Sequence, residues 1–219
     1  MKMSIREAIN QTLHEEMARD DRVVVMGEDV ASDQGGVYGI TEGLTKKYGM
    51  RRVIDTPITE SAIVGAAGGA ALTGLRPVAE LMFVDFLGVC LDQILNQIAK
   101  FRYMFGGQAR TPVVIRTMIG AGTGTGPQHS QILYPLLAAI PGIKVVAPAF
   151  PADVKGLIAA AVRCDDPVLV FEQKSLYPMK GEVPDGEYVD ELGKARVLRR
   201  GKDCTIVALA LMVHRALAA

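Results

Sequence analysis

The chain has 219 residues, 49% hydrophobic and 22% charged, which suits one large globular domain or one domain with part of a second. Its 24 basic and 24 acidic residues cancel, which argues against nucleic acid or an anionic membrane as a partner. No apolar run is long enough to span a membrane without a charge or a helix breaker, and the N-terminus lacks a signal-peptide core. Three separated cysteines and three separated histidines argue against disulfides and zinc and favour the cytoplasm.

The first part of the chain alternates helix and strand. Ser4 and Glu7 have the spacing of a capping box, which predicts a helix that ends near Arg19. Residues 23–26 form an apolar run typical of a buried strand. This run ends at Gly27-Glu28-Asp29 and so places two acids at the carboxyl end of a strand.

Residues 55–60, Asp-Thr-Pro-Ile-Thr-Glu, connect a short strand to an unbroken run of small apolar residues at 61–72. Glu60 therefore falls in the first turn of a buried helix, and Thr59 is a candidate N-cap. A buried carboxylate is costly unless it is paired or protonated, and ligands of α/β sheets bind at strand carboxyl ends. Two interpretations stay open: Glu60 either only favours the helix dipole or binds a ligand.

The middle of the chain repeats this alternation. Asp85 is a candidate cap for a helix whose stripe runs from Val89 to Phe101. The remaining predicted elements are strands at 78–82, 113–116, 143–147 and 167–171 and helices at 130–139 and 151–163. Continuous apolar strands that alternate with helices predict an α/β fold, in which a parallel sheet is covered by helices on both faces.

The character of the sequence changes after Glu172, where prolines and glycines become frequent. We therefore expect one domain at 1–175, a linker at 176–194 and the incomplete start of a second α/β domain at 195–219. Within the last segment, residues 195–198 and 205–211 have the composition of strands.

The loop at 120–126 is rich in glycine but does not fit the dinucleotide pattern, because Thr125 stands where the last glycine is needed. We interpret it as a mobile loop beside an active site rather than a dinucleotide cradle. His129 ends this loop. It is either a helix-start residue bonded to backbone or a titrating histidine at the rim of a cleft.

Several runs, taken together and in order, resemble the β subunit of the thiamine-diphosphate-dependent E1 component of 2-oxo acid dehydrogenase complexes. The runs are Val-Met-Gly-Glu-Asp-Val at 25–30, Asp-Thr-Pro-Ile-Thr-Glu at 55–60, Gly-Leu-Arg-Pro at 74–77, Leu-Asp-Gln-Ile at 91–94, Gln-His-Ser-Gln at 128–131 and Asp-Asp-Pro-Val at 165–168. Residues 80–107 look closest to acetoin dehydrogenase β subunits, with pyruvate-type subunits close behind.

The resemblance implies a transketolase-like pyrimidine-binding domain. Glu60 matches the glutamate that exchanges a proton with the aminopyrimidine ring of the cofactor. Phe86 matches the aromatic residue that stacks on this ring, although core packing would explain it equally well. Glu28 matches an acid near the cofactor that supports Glu60 or the partner subunit. His129 matches a histidine that handles protons during acyl transfer to lipoamide.

The resemblance also implies partners and ions. A potassium site of backbone carbonyls would involve Val113, Ala161, Val162, Cys164 and Asp166. The Gly-Asp-Gly motif that holds Mg²⁺ and the diphosphate is missing here, and in the family it lies on the α subunit. We therefore predict an oxidoreductase β subunit in an α2β2 heterotetramer that passes an acyl group to lipoyl-E2. A self-sufficient transketolase-type enzyme and a non-catalytic assembly subunit are the alternatives.

Overall fold

Six parallel strands form the central sheet of the protein in this computed structural model, which describes residues 1–219. The eight strands are β1 (Lys2–Ser4), β2 (Val23–Glu28), β3 (Val53–Thr56), β4 (Arg76–Phe83), β5 (Val114–Ile119), β6 (Lys144–Val146), β7 (Val168–Gln173) and β8 (Lys180–Glu182). The six-stranded sheet has the order β3-β2-β4-β5-β7-β6, and all its neighbours are parallel.

Helices cover both faces of this sheet, which confirms the predicted fold class. They are α1 (Ile5–Arg19), α2 (Leu44–Tyr48), α3 (Glu60–Leu72), α4 (Leu87–Asp92), α5 (Phe101–Met104), α6 (Tyr134–Ala138), α7 (Pro151–Arg163) and α8 (Leu211–Ala218). Val23 and Val25 of β2 belong to the apolar cluster shared with α1 and α7, whereas Val24 and Met26 belong to the one shared with α3. Alternate side chains of one strand therefore serve two cores, as expected for a sheet buried on both faces.

Three predicted helices, α1, α3 and α7, have their predicted bounds. The Ser4 hydroxyl accepts a hydrogen bond from the Glu7 amide at 3.2 Å, and Glu7 Oε2 accepts one from the Ser4 amide at 2.7 Å, which confirms the capping box. Helix α3 begins at Glu60, as expected, and its small side chains allow close packing. The Thr59 side chain makes no capping bond, so this part of the prediction is wrong.

The predicted stripe from Val89 to Phe101 is only partly confirmed. The segment is not one regular helix, since α4 continues into a π-helical turn at Gln93–Ile98 before α5. Ile94, which belongs to the predicted stripe, is buried, but Val89 is 57% exposed, and Cys90 and Ile98 are buried in addition. Ile98 packs so closely on α3 that a Cβ added at Gly68 would lie 2.9 Å from its Cγ1.

Asp85 does not cap a helix. It lies in a 3-10 turn at Val84–Phe86, and its Oδ1 accepts hydrogen bonds from the amides of Ser130 and Gln131 at 3.1 Å each. The helix predicted at 130–139 is shorter in the structure, where α6 begins only at Tyr134.

The C-terminal part of the chain departs most from prediction. The predicted linker contributes β8, which pairs antiparallel with β1. The strands predicted at 195–198 and 205–211 do not form, because no other strand of the chain pairs with them. The domain division at 175 stays a prediction. None of the helices combines the length and the apolar character that crossing a membrane requires.

Candidate active site

The predicted catalytic and cofactor-binding residues all lie beyond or at the carboxyl ends of neighbouring strands. Glu28 ends β2, Glu60 follows β3, Phe86 follows β4 and His129 follows β5. Since these strands are parallel and adjacent, the four residues share one edge of the sheet. Ligands of open α/β sheets bind at this edge.

Glu60 is a buried acid that the chain itself leaves without a partner. The residue is 8% exposed, yet its carboxylate makes no hydrogen bond and no ion pair within the chain, and only the N-terminus of α3 favours its charge. The hydroxyl of Thr56, at the end of β3, is also buried without a hydrogen-bond partner. Buried polar groups are normally satisfied, so the Thr56 hydroxyl at the end of β3 indicates a binding site for a molecule outside this chain. The unpaired Glu60 at the start of α3 is mostly buried, but its carboxylate oxygens are not fully enclosed and can be reached by such a molecule.

The surroundings of Glu60 are negative and apolar. Burial, together with the charges of Asp29 and Glu60, raises the pKa of the half-buried Glu28. Burial and the nearby Glu60 raise the pKa of the Cys90 thiol to about 12. No cation of the chain neutralises Glu60, so a protonated or hydrogen-bonding ligand group suits this site.

His129 is held between two aromatic rings. Its ring centroid lies 4.7 Å from that of Phe83 and 5.4 Å from that of Phe86, with interplanar angles of 77° and 85°. The structure therefore brings Phe86 and His129 into contact. No hydrogen bond or ion pair joins either residue to Glu60.

The structure adds a residue that the sequence analysis missed. Lys174 directly follows β7, is only 2% exposed, and donates hydrogen bonds to the His129 carbonyl and to Thr125 Oγ1. Its ammonium also lies 5.0 Å from the centroid of the Phe83 ring. A lysine that directly follows an apolar strand was the available signal, because strand ends of parallel sheets carry ligands and function.

A second buried group links three strands and is internally satisfied. Arg116 of β5 donates from Nε and Nη2 to the two carboxylate oxygens of Glu172 at 2.7 Å each, and from Nη1 to Glu80 at 2.8 Å. The hydroxyl of Tyr177 donates to Glu172 at 2.7 Å. Burial raises the pKa of Glu80 although Arg116 opposes this shift. No sequence pattern predicted a role for these residues.

The five residues of the predicted potassium site lie at the opposite edge of the sheet. Val113 precedes β5, its carbonyl accepts a bond from the Val168 amide, and the Ala161 carbonyl at the end of α7 accepts one from Cys164. Val162 is buried in the same turn. The Asp166 carboxylate pairs with Arg102 and Lys144, so only its carbonyl oxygen is available. Each carbonyl oxygen has a second lone pair, so these hydrogen bonds leave it able to accept a cation.

Comparison with known proteins decides the family. Residues 1–180 match the protein family described as the pyrimidine-binding domain of transketolase. The β subunit of acetoin:2,6-dichlorophenolindophenol oxidoreductase from Cupriavidus necator is 55% identical over 227 residues, covering 100% of this chain and 67% of the relative. The chain belongs to this family of dehydrogenase β subunits. The β-subunit sequence therefore spans about two thirds of the length of that relative.

Two further similarities agree with this β-subunit assignment. Subunit beta-2 of the mitochondrial pyruvate dehydrogenase E1 component from Oryza sativa subsp. japonica is 46% identical over 222 residues, which cover 100% of this chain and 59% of the relative. A solved structure described as a split gene transketolase, inactive beta4 tetramer, is similar with a TM-score of 0.78 and 26% identity, over 99% of this chain and 66% of that one. These relatives are named as subunits or as products of a split gene, which argues against the self-sufficient transketolase-type alternative.

Proposed function

We propose that this chain is the β subunit of a thiamine-diphosphate-dependent E1 enzyme. The enzyme would cleave acetoin or decarboxylate a 2-oxo acid and transfer the acyl group to lipoyl-E2. The observation that supports this proposal most strongly is the unpartnered, buried carboxylate of Glu60 within a pyrimidine-binding domain. When bound, thiamine diphosphate supplies the electron sink for cleaving the bond next to the carbonyl carbon.

Four side chains of this subunit would have separate roles in the reaction. Glu60 holds the proton that it shares with the pyrimidine ring at its carboxylate, and its burial keeps water from this proton. Phe86, which is half-buried, offers a ring face to the pyrimidine. Glu28 adds a nearby carboxylate that keeps the environment of Glu60 negative. His129 moves protons at its imidazole when the acyl group passes to the lipoyl group.

A partner subunit completes the site in this proposal. The sequence has no Gly-Asp-Gly motif to hold the diphosphate and its Mg²⁺, so these groups would be bound by an E1 α subunit in an α2β2 heterotetramer. The similar split gene transketolase is described as an inactive tetramer of β chains, which agrees with a need for a second type of chain. Acetoin is the first substrate to test, because an acetoin oxidoreductase subunit is 55% identical to this chain.

The proposal is tested by titrating thiamine diphosphate and Mg²⁺ into the chain with and without an α subunit. We expect tight binding only in the assembled protein, followed by activity on acetoin, pyruvate or a branched 2-oxo acid. Absence of binding in the assembly would instead support a non-catalytic assembly subunit.

We also propose that K⁺ binds the carbonyl oxygens of Val113, Ala161, Val162, Cys164 and Asp166. The buried hydroxyl of Thr111, which has no hydrogen-bond partner, is a further oxygen near this turn. Such an ion would tie the start of β5 to the end of α7. We expect a higher melting temperature in potassium chloride than in sodium chloride at equal ionic strength, because an ion that binds only the folded state stabilises it. Equal melting temperatures would contradict the proposal.

A further inference from the structure

The loop that carries His129 is closed by bonds at its base. The amide of Gly120, just after β5, donates to the carbonyl of Gln131 at 3.0 Å. Between these two residues most side chains are exposed, and the segment has no regular structure except a 3-10 turn at Pro127–His129. An exposed loop of this kind does not fix the direction of a side chain unless other residues hold it.

Lys174 and Asp85 bond to this loop at His129 and next to it. Lys174 reaches from the turn after β7 and donates to the carbonyl of His129 and to Thr125 Oγ1, the latter at 3.2 Å. Asp85 reaches from the turn after β4 and accepts from the amides of Ser130 and Gln131. The loop is therefore tied, at residues 125 and 129–131, to the segments that directly follow β7 and β4.

The burial of Lys174 is difficult to explain by packing alone. Burying an ammonium group is unfavourable unless its hydrogen bonds are satisfied, and an unbranched apolar side chain would fill the same space without this penalty. Burial lowers the pKa of Lys174, and the charge of Asp85 only partly opposes this shift. No carboxylate pairs with the ammonium directly, so its hydrogen bonds go to the loop.

We propose that Lys174 is a positioning residue that fixes the His129 imidazole against Phe83 and Phe86 by bonding to the Thr125 hydroxyl and to the His129 carbonyl. The acyl-transfer part of this inference rests on the proposed function, in which His129 moves protons. The structural part concerns loop order alone and does not depend on any activity.

The first test measures amide hydrogen exchange in the full chain for peptides within 120–131. In Lys174→Met we expect exchange to accelerate about tenfold or more, because the loss of hydrogen bonds worth roughly 1.4 kcal/mol changes an opening equilibrium by that factor. Lys46→Met is the matched control, since Lys46 is exposed and makes no hydrogen bond or ion pair. Unchanged exchange in Lys174→Met would overturn the inference.

The second test separates two activities of the assembled enzyme. Dye reduction, the activity in the name of the Cupriavidus relative, avoids the lipoyl group, whereas acyl transfer to lipoyl-E2 requires it. In Lys174→Met we expect acyl transfer to fall on the order of 100-fold, because displacing a catalytic group by about 1 Å has this effect. Dye reduction should change less than about threefold. An equal loss of both activities would show a merely structural role.

A double-mutant cycle with His129→Ala identifies the residue through which Lys174 acts. The double variant should lose no more acyl transfer than His129→Ala alone, whereas multiplied losses would overturn the inference. If His129→Ala transfers acyl groups normally, its proposed role and the catalytic part of the inference both fail. The exchange rates would still decide whether Lys174 orders the loop. Should Lys174→Met not assemble, Thr125→Val removes one partner of the ammonium, and faster loop exchange is again expected.

Discussion

The fold contains two sets of buried carboxylates, and they differ in their hydrogen bonds. Glu80 and Glu172 lie on strands of the sheet, whereas Glu60 begins α3. Glu172 is bonded to both Arg116 and Tyr177, and Glu80 is bonded to Arg116, so these acids are satisfied within the fold. Glu60 is 8% exposed and has no partner in the chain. Buried acids that are paired stabilise or specify a fold, whereas an unpaired one needs a function to explain its burial.

The paired and the unpaired acids also occupy different positions in the fold. Glu80 points inward from the middle of the sheet, where Arg116 lies opposite it on the neighbouring strand. Glu60 instead begins a helix at the strand carboxyl ends, where a ligand can approach it. The difference indicates that the Arg116 group ties β4, β5 and β7 together, while Glu60 is left free to contact the proposed cofactor.

The largest effect is expected for Arg116→Met. This change leaves two buried carboxylates without their cation, which should lower the free energy of unfolding by about 3–5 kcal/mol. Urea unfolding of the chain measures this value. Glu60→Gln is the matched comparison and should change the free energy by less than about 1 kcal/mol, because it removes no internal bond. A similar loss of unfolding free energy in the two variants would contradict the proposed difference between the paired acids and Glu60.

A smaller effect is expected for Tyr177→Phe. The tyrosine donates to a charged carboxylate in a fully buried site, so its removal should lower the free energy of unfolding by about 1–2 kcal/mol. Glu172 keeps its two bonds from Arg116, which limits the loss. Tyr103→Phe is the control, because Tyr103 is 86% exposed. An equal, small effect in both variants would show that the hydroxyl of Tyr177 adds nothing to the group.

The smallest effect is a pH dependence at Glu28. Burial and neighbouring acids raise the pKa of Glu28 in the folded chain above its ordinary value of 4.5. The folded state then binds the proton more tightly than the unfolded state, so stability falls as the pH rises from about 4.5 through the folded pKa. Glu28→Gln removes this loss and should be more stable than the parent chain at pH 8 but not at pH 4. Urea unfolding at the two pH values measures this difference.

A matched control for this pH dependence is Glu42→Gln, since Glu42 is exposed. The control should follow the parent chain at both pH values. If Glu28→Gln behaves in the same way, the negative environment assigned to the Glu60 site would be wrong.

Features that depend on neighbours in the sequence were predictable. The capping box of α1 and the start of α3 at Glu60 follow from residues within one helical turn. The alternation of apolar strands and helices gave the fold class, and the carboxyl-end rule gave the shared edge of the site. The identity of the cofactor came from the resemblance to a family rather than from the residues alone.

Features that depend on distant residues were not predictable. Arg116 lies 36 residues from Glu80 and 56 from Glu172, and Lys174 lies 45 from His129. No spacing rule joins such partners, because the sheet order alone brings them together. The strands predicted at 195–198 and 205–211 failed for a related reason. Strand composition predicts a backbone that can pair, but it does not supply the neighbouring strand.

The most direct test of the role of Glu60 is the rate at which the thiazolium C2 hydrogen of bound thiamine diphosphate exchanges with deuterium, measured by NMR in the assembled enzyme. In Glu60→Gln we predict that this rate falls about 10²–10⁴-fold, the usual contribution of a positioned acid or base, while the cofactor still binds. An exchange rate equal to that of the parent enzyme, with cofactor bound, would contradict the assignment of Glu60.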